Sequence, residues 1–130
     1  WSHVGIVDGD SVIESVGPPT WDYITHIVVG KDISAHSGVL VTPLKDFYKR
    51  YSHTELRFLP GDINKARERV GRPFDMNAIF GHLFNQNWQD PDKDCCTELT
   101  VSTMPIDPRF AHKFTPAILY WMSSSKERWQ

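Results

Sequence analysis

"HVGIVDGDSVIESV" occupies residues 3–16, and its reading decides how the chain begins to fold. Two β-rich runs flank an Asp-Gly step, a strong short-range hairpin signal. With Asp8-Gly9 as a two-residue loop, Val7 pairs with Asp10, Ile6 with Ser11, Gly5 with Val12, Val4 with Ile13 and His3 with Glu14. Residues directly opposite one another in an antiparallel pair have Cβ atoms roughly 5 Å apart on one face. A carboxylate in that position accepts from one imidazole nitrogen and leaves the other nitrogen as a base. A loop at Gly9-Asp10 would instead set His3 opposite Val16 and Glu14 opposite Gly5; turn chemistry favours Asp-Gly. An exposed polar pair on the wet face of a hairpin is the plain alternative. The pair does chemistry only where a nucleophile meets it.

Outward from the hairpin, the chain reads as one domain. Its 130 residues suffice for a single core, and 40% hydrophobic and 23% charged residues are ordinary globular proportions. A net charge of -2 points away from a nucleic-acid partner. The densest basic group, Lys65, Arg67 and Arg69, does not share one helix face and reads as a solvated helix. No apolar run approaches the roughly 20 residues of a membrane span, and no signal peptide is visible. The sequence opens on Trp1 rather than Met, so the expectation is a processed N-terminus or residues upstream.

Downstream, "YITHIVV" at 23–29 reads as a third strand and "GKDISAHSG" as loop. "VTPLKDFYKRY" reads as a helix with Thr42 as cap and Pro43 at its first position. "ELRFL" at 55–59 reads as a short strand. "PGDINKARERVG" reads as a helix capped by Asp62 and terminated by Gly71. A further helical segment is expected from about Asp75, then a polar loop, a helix opening at the cysteines, and a last helix in "TPAILYWMSSSKERW". Strands early and helices late make the expected class α+β.

The chain has two cysteines, Cys95 and Cys96. Adjacent cysteines seldom bridge each other because the ring is strained, and there is no third thiol and no CxxC pair, so neither a disulfide framework nor a structural zinc site is expected. "DKDCCTEL" sets both at a predicted helix start, where the helix charge and free N–H groups favour a thiolate and can bind an oxyanion. The ordinary role of a free cysteine is that of a small buried hydrophobe. Here the polar loop before it and the His3–Glu14 pair argue for a nucleophile.

"WSHVGIVDGDSVIESVGP", "GVLVTPLKDF" at 38–47 and Cys96-Thr97-Glu98-Leu99, in that order and spacing, resemble the circularly permuted papain-like amidases of the NlpC/P60 superfamily, the YiiX/YaeF-like group. The likeness covers most of residues 1–104. It implies a permuted papain-like fold: an antiparallel sheet packed against helices, with the nucleophile at a helix N-terminus. It also implies a triad of Cys96, His3 and Glu14, with the usual Cys-before-His order reversed; a triad is defined by geometry rather than chain order. A related permuted group, the lecithin:retinol acyltransferases, acts on acyl chains. Family members normally carry a segment before the His strand that is lacking here, and the stretch 20–37 is longer than usual.

The expected function is therefore a cysteine hydrolase that cleaves an amide or peptide bond, a cell-wall peptide for example, through a thioester acyl-enzyme, with no cofactor or metal. Alternatives are a thioesterase or acyltransferase on lipid substrates, or a non-catalytic module in a larger assembly such as a phage particle. Localisation stays open, with the bacterial cell envelope and the virion as the settings considered. His26, His36, His53, His82 and His112 have no metal-site spacing. Of Trp1, Trp21, Trp88, Trp121 and Trp129, Trp88 is the best cleft candidate.

Overall fold

The computed structural model describes residues 3–18, 28–30, 37–78, 84, 86 and 90–124. Within them the protein is α+β. Strands β1 (Gly5–Asp8), β2 (Ser11–Val16) and β3 (Gly38–Pro43) form an antiparallel sheet in the order β1-β2-β3. Around it lie α1 (Leu44–Arg50), α2 (Ile63–Glu68), α3 (Cys96–Thr103), a 3₁₀ helix (Pro108–Lys113) and α4 (Pro116–Met122).

The hairpin register differs from the Asp8-Gly9 expectation. Gly5 pairs with Glu14, Ile6 with Ile13, Val7 with Val12 and Asp8 with Ser11, so the loop is Gly9-Asp10. Gly9 takes φ 59° at the first central position, which is what a primed turn between right-twisted strands asks of a glycine. The change amounts to two residues. Because strand side chains alternate with period two, a shift of two keeps every residue on its face. His3 and Glu14 thus stay on one side of the sheet, as diagonal neighbours across β1 and β2.

The two faces of the sheet differ. Ile13 and Val39, joined by Ile6, pack on Ala66 and Ile63 of α2 and Leu99 of α3. A second cluster of Val101, Met104, Ala111 and Leu119, with Val4, Leu59, Ile106 and Phe114 against it, ties α3 to the 3₁₀ helix and α4. The opposite face carries Glu14 and Thr42 and is covered at Gly5 by Phe47 of α1.

Local signals account for most helix starts. Asp62 accepts from the Asn64 N–H, and Thr115 from the Ile118 N–H ahead of Pro116. Thr42 is a correction: it lies within β3, and Pro43 occupies the cap of α1. Among the described residues the third strand is β3; of the stretch 23–29 Val28 and Val29 are helical and the rest lies outside the described residues. "ELRFL" is reduced to an isolated bridge between Phe58 and Ser124. The basic trio is only partly solvated. Arg67 makes two bonds to Asp8, at 2.8 and 2.7 Å, and Arg69 pairs with the buried Asp94. Of the helix expected from about Asp75, residues 76–78 are helical, 79–83 lie outside the described residues and Phe84 stands in a turn.

At Gly5 the Phe47 side chain of α1 and the Val12 side chain of β2 close in on the strand. A Cβ there would stand 2.5 Å from Val12 Cγ1 and 3.2 Å from Phe47 Cε2. Both neighbours are buried, and the β-branched Val12 has little rotamer freedom. Gly5→Ala is expected to destabilise the protein by about 1–3 kcal/mol, the usual cost of overpacking, read as a lower denaturant midpoint with unchanged slope.

Candidate functional site

The site is assembled around Glu14, whose side chain is wholly buried. Its Oε2 lies 2.8 Å from His3 Nε2. Its Oε1 accepts from Thr42 Oγ1 at 2.7 Å and from Arg50 Nη1 at 2.9 Å. Burial alone would push this carboxyl upward. The bonds from His3 and Thr42, and the charges of His3 and Arg50, outweigh it and hold Glu14 below the usual carboxylate range.

His3 is packed as well as hydrogen-bonded. Its ring stacks on Tyr51, with centroids 4.9 Å apart, and more loosely on Phe47 at 6.1 Å. With Nε2 committed to Glu14, Nδ1 is the ring nitrogen left for Cys96, which lies near enough to act on the His3 proton. Burial of the ring is the largest influence on its proton and opposes the charge. The nearby Cys96 sulfur, then the Glu14 hydrogen bond, then the charges of both together raise its pKa from the ordinary 6.5 to about 9.

The two thiols have different surroundings. Cys95 is the N-cap of α3 and is buried; its sulfur lies 3.3 Å from Thr97 Oγ1. Burial, with the Glu98 carboxylate beside it, pushes the Cys95 thiol far up. Cys96 is the first helical residue, partly exposed, and its N–H has no acceptor within the helix. Glu98 closes a capping box by accepting from the Cys95 N–H at 2.7 Å. Burial, then the nearby carboxylates of Asp75 and Asp94, raise Glu98 to about 7.

Behind this helix start, Asp75 accepts from the Ala78 N–H and the Asp90 N–H at 3.0 and 2.7 Å. Asp94 pairs with Arg69 and lies 3.7 Å from Arg72. Among the described residues no group of three or more His, Cys, Asp or Glu side chains is arranged to hold a metal ion, and no helix is long and apolar enough to cross a membrane. A cavity of about 730 Å³ opens beside His3. Its walls come from β1, α1, the segment 53–59 and α4, and Thr100 and Thr103 of α3 line it as well.

His3 and Glu14 are therefore in direct contact, and Cys96 lies near enough to His3 to act on its proton. Thr42, Arg50 and Tyr51 were not read from the sequence as parts of the site. Their partners are distant in the chain, and the one usable signal was the alternation of Leu40 and Thr42 along an unrecognised strand. His53 lines the cavity, and His112 bonds the Arg109 carbonyl. Trp121 is exposed. His26, His36, His82, Trp1, Trp21, Trp88 and Trp129 lie outside the described residues. Comparisons of the chain with protein-family models, curated proteins and solved structures returned no match.

The folded His3 pKa lies above its unfolded value, so protonated His3 contributes stability that is complete below about pH 6.5 and lost as pH rises through about 9. The Tm difference between the wild type and His3→Gln should be largest near about pH 6 and close by about pH 10. An NMR titration of the His3 ring should place its midpoint near 9, and lower in Cys96→Ala. A wild-type midpoint near 6.5 would show that the assembly does not form.

Proposed function

We propose that this chain is a cysteine hydrolase of permuted papain-like type, acting on an amide or peptide bond through a thioester acyl-enzyme. The observation that carries the reading is the relay from Cys96 through His3 to a Glu14 that is itself held by Thr42 and Arg50.

In this mechanism the proton of the Cys96 thiol already rests on His3 Nδ1 as a thiolate–imidazolium pair, in keeping with the raised His3 pKa, and the thiolate attacks the substrate carbonyl. The Cys96 N–H, free of the helix ladder, faces the developing oxyanion. His3 then gives its proton to the leaving amine, and water, deprotonated by His3, releases the acyl group from sulfur. Glu14 is a positioning residue: it fixes the ring through Nε2 and favours the imidazolium that forms. Thr42 and Arg50 hold Glu14 at its other oxygen. The stacked Tyr51 and Phe47 stop the ring from turning away.

The apolar walls of the neighbouring cavity support a second reading, an ester or thioester of an acyl chain as substrate. The same three residues would perform that chemistry unchanged.

Cys96→Ala is expected to abolish turnover of an amide and a thioester reporter while leaving the melting curve nearly unchanged. Activity near wild type would end the catalytic reading. His3→Ala should lower kcat/KM by about 10²–10⁴-fold, and Glu14→Gln by less, because Glu14 moves no proton. A larger loss from Glu14→Gln would assign Glu14 to substrate instead.

The thiols separate by alkylation. Cys95→Ser, which keeps Cys96, should react quickly with iodoacetamide near neutral pH, and Cys96→Ser slowly. A fast phase that follows Cys95 would move the nucleophile by one residue. A slow reaction in both variants would make the thiols structural.

A further inference from the structure

Among the described residues β1 is the edge of the sheet, and its residues line the cavity beside His3. In an antiparallel ladder closed by a two-residue loop, hydrogen-bonded and non-hydrogen-bonded pairs alternate from the loop outward. Asp8–Ser11 and Ile6–Ile13 are then the bonded pairs. Gly5 and Val7 accordingly turn their N–H and C=O groups away from β2. Among the described residues none of these four groups has a partner.

Val4, Gly5, Ile6 and Val7, whose side chains alternate between the two faces of the sheet, all line the cavity. That is the pattern left when a space borders a strand along its edge rather than over one face. The four residues of β1 span about 13 Å at roughly 3.3 Å each. Apolar residues also line the cavity, among them Leu44, Phe47, Leu56, Phe58 and Leu119.

An edge of unpaired donors and acceptors is a template for another extended backbone. An acyl chain fits the apolar walls but offers nothing to the Gly5 and Val7 groups. An extended peptide offers both, pairing its backbone with β1 and placing alternate side chains against the walls. His3 directly precedes this strand, so a peptide bound there runs toward the Cys96–His3 pair.

We infer that the substrate of this site is an extended peptide with bulky apolar side chains, which adds as a fourth strand to the free edge of β1. This rests on the hydrolase reading above for its chemistry, but the binding step stands apart from turnover and is tested apart from it.

The test uses full-length Cys96→Ala, which binds without cleaving, and a capped hexapeptide of Leu and Phe alternating with Ser. Two further peptides carry N-methyl groups on one or the other interleaved set of amides. Binding of the parent peptide should protect the Gly5 and Val7 amides from hydrogen exchange. One methylated set should weaken binding by about tenfold or more, since it removes hydrogen bonds to β1, and the other by less than about threefold.

Equal binding of all three peptides would overturn the strand pairing. So would palmitate protecting Gly5 and Val7 where the peptide does not, which would give the cavity to an acyl chain. Turnover of an amide reporter by the wild type without this phase-selective binding removes the β1 site and leaves the hydrolase. Phase-selective binding without turnover removes the hydrolase and leaves the β1 site.

Discussion

A carboxylate that touches no water must be met by donors from the protein itself, and Glu14 is such a carboxylate. Left unpaired it would cost several kcal/mol. Its donors arrive from three elements: His3 just ahead of β1, Thr42 on β3 and Arg50 at the end of α1. The hairpin register, the course of β3 and the length of α1 all have to agree for these bonds to close. A one-residue slip of β1 would turn His3 to the other side of the sheet. The positions of His3 and of the helix that covers it are thus tied to one buried charge.

The thiols illustrate how much a single step along the chain can change. Cys95 belongs to the interior and completes the cap of α3; Cys96 stands at its first turn, within reach of His3. α3 is fixed at both ends of its buried face, by Leu99 against the sheet and by Val101 and Met104 against α4 and the 3₁₀ helix. A side chain at the first turn of a helix held in this way inherits the precision of the core.

Local chemistry made parts of this legible beforehand. Asp62, and Thr115 with Pro116, announced α2 and α4, and the α+β class followed from the order of elements. The hairpin was read two residues out of register, because Asp8-Gly9 and Gly9-Asp10 are both acceptable turn steps. The His3–Glu14 pairing survived because a two-residue shift preserves the face. β3 was missed because its end, Thr42-Pro43, also looks like a helix start. Thr42 and Arg50 stand 28 and 36 residues from Glu14, a separation that no local pattern spans. The 3₁₀ helix did have a signal, Asp107 before Pro108, that went unused; Asp107 accepts there from the Arg109 N–H.

The carboxylate that caps α3 has a consequence for how the chain handles protons. Glu98 in the folded protein titrates near 7 and His3 near 9, each above its ordinary value. Between those ordinary values and the folded ones the native state holds protons that the unfolded chain releases. Folding at neutral pH is therefore coupled to proton uptake at two points, the cap of α3 and the ring beside Cys96. Glu14 and Asp8 work in the opposite sense, since their lowered values favour the native state only once they ionise. The native fold is consequently held most firmly on the acid side of neutrality, above the range where Glu14 loses its charge and below the range where Glu98 and His3 give up their protons.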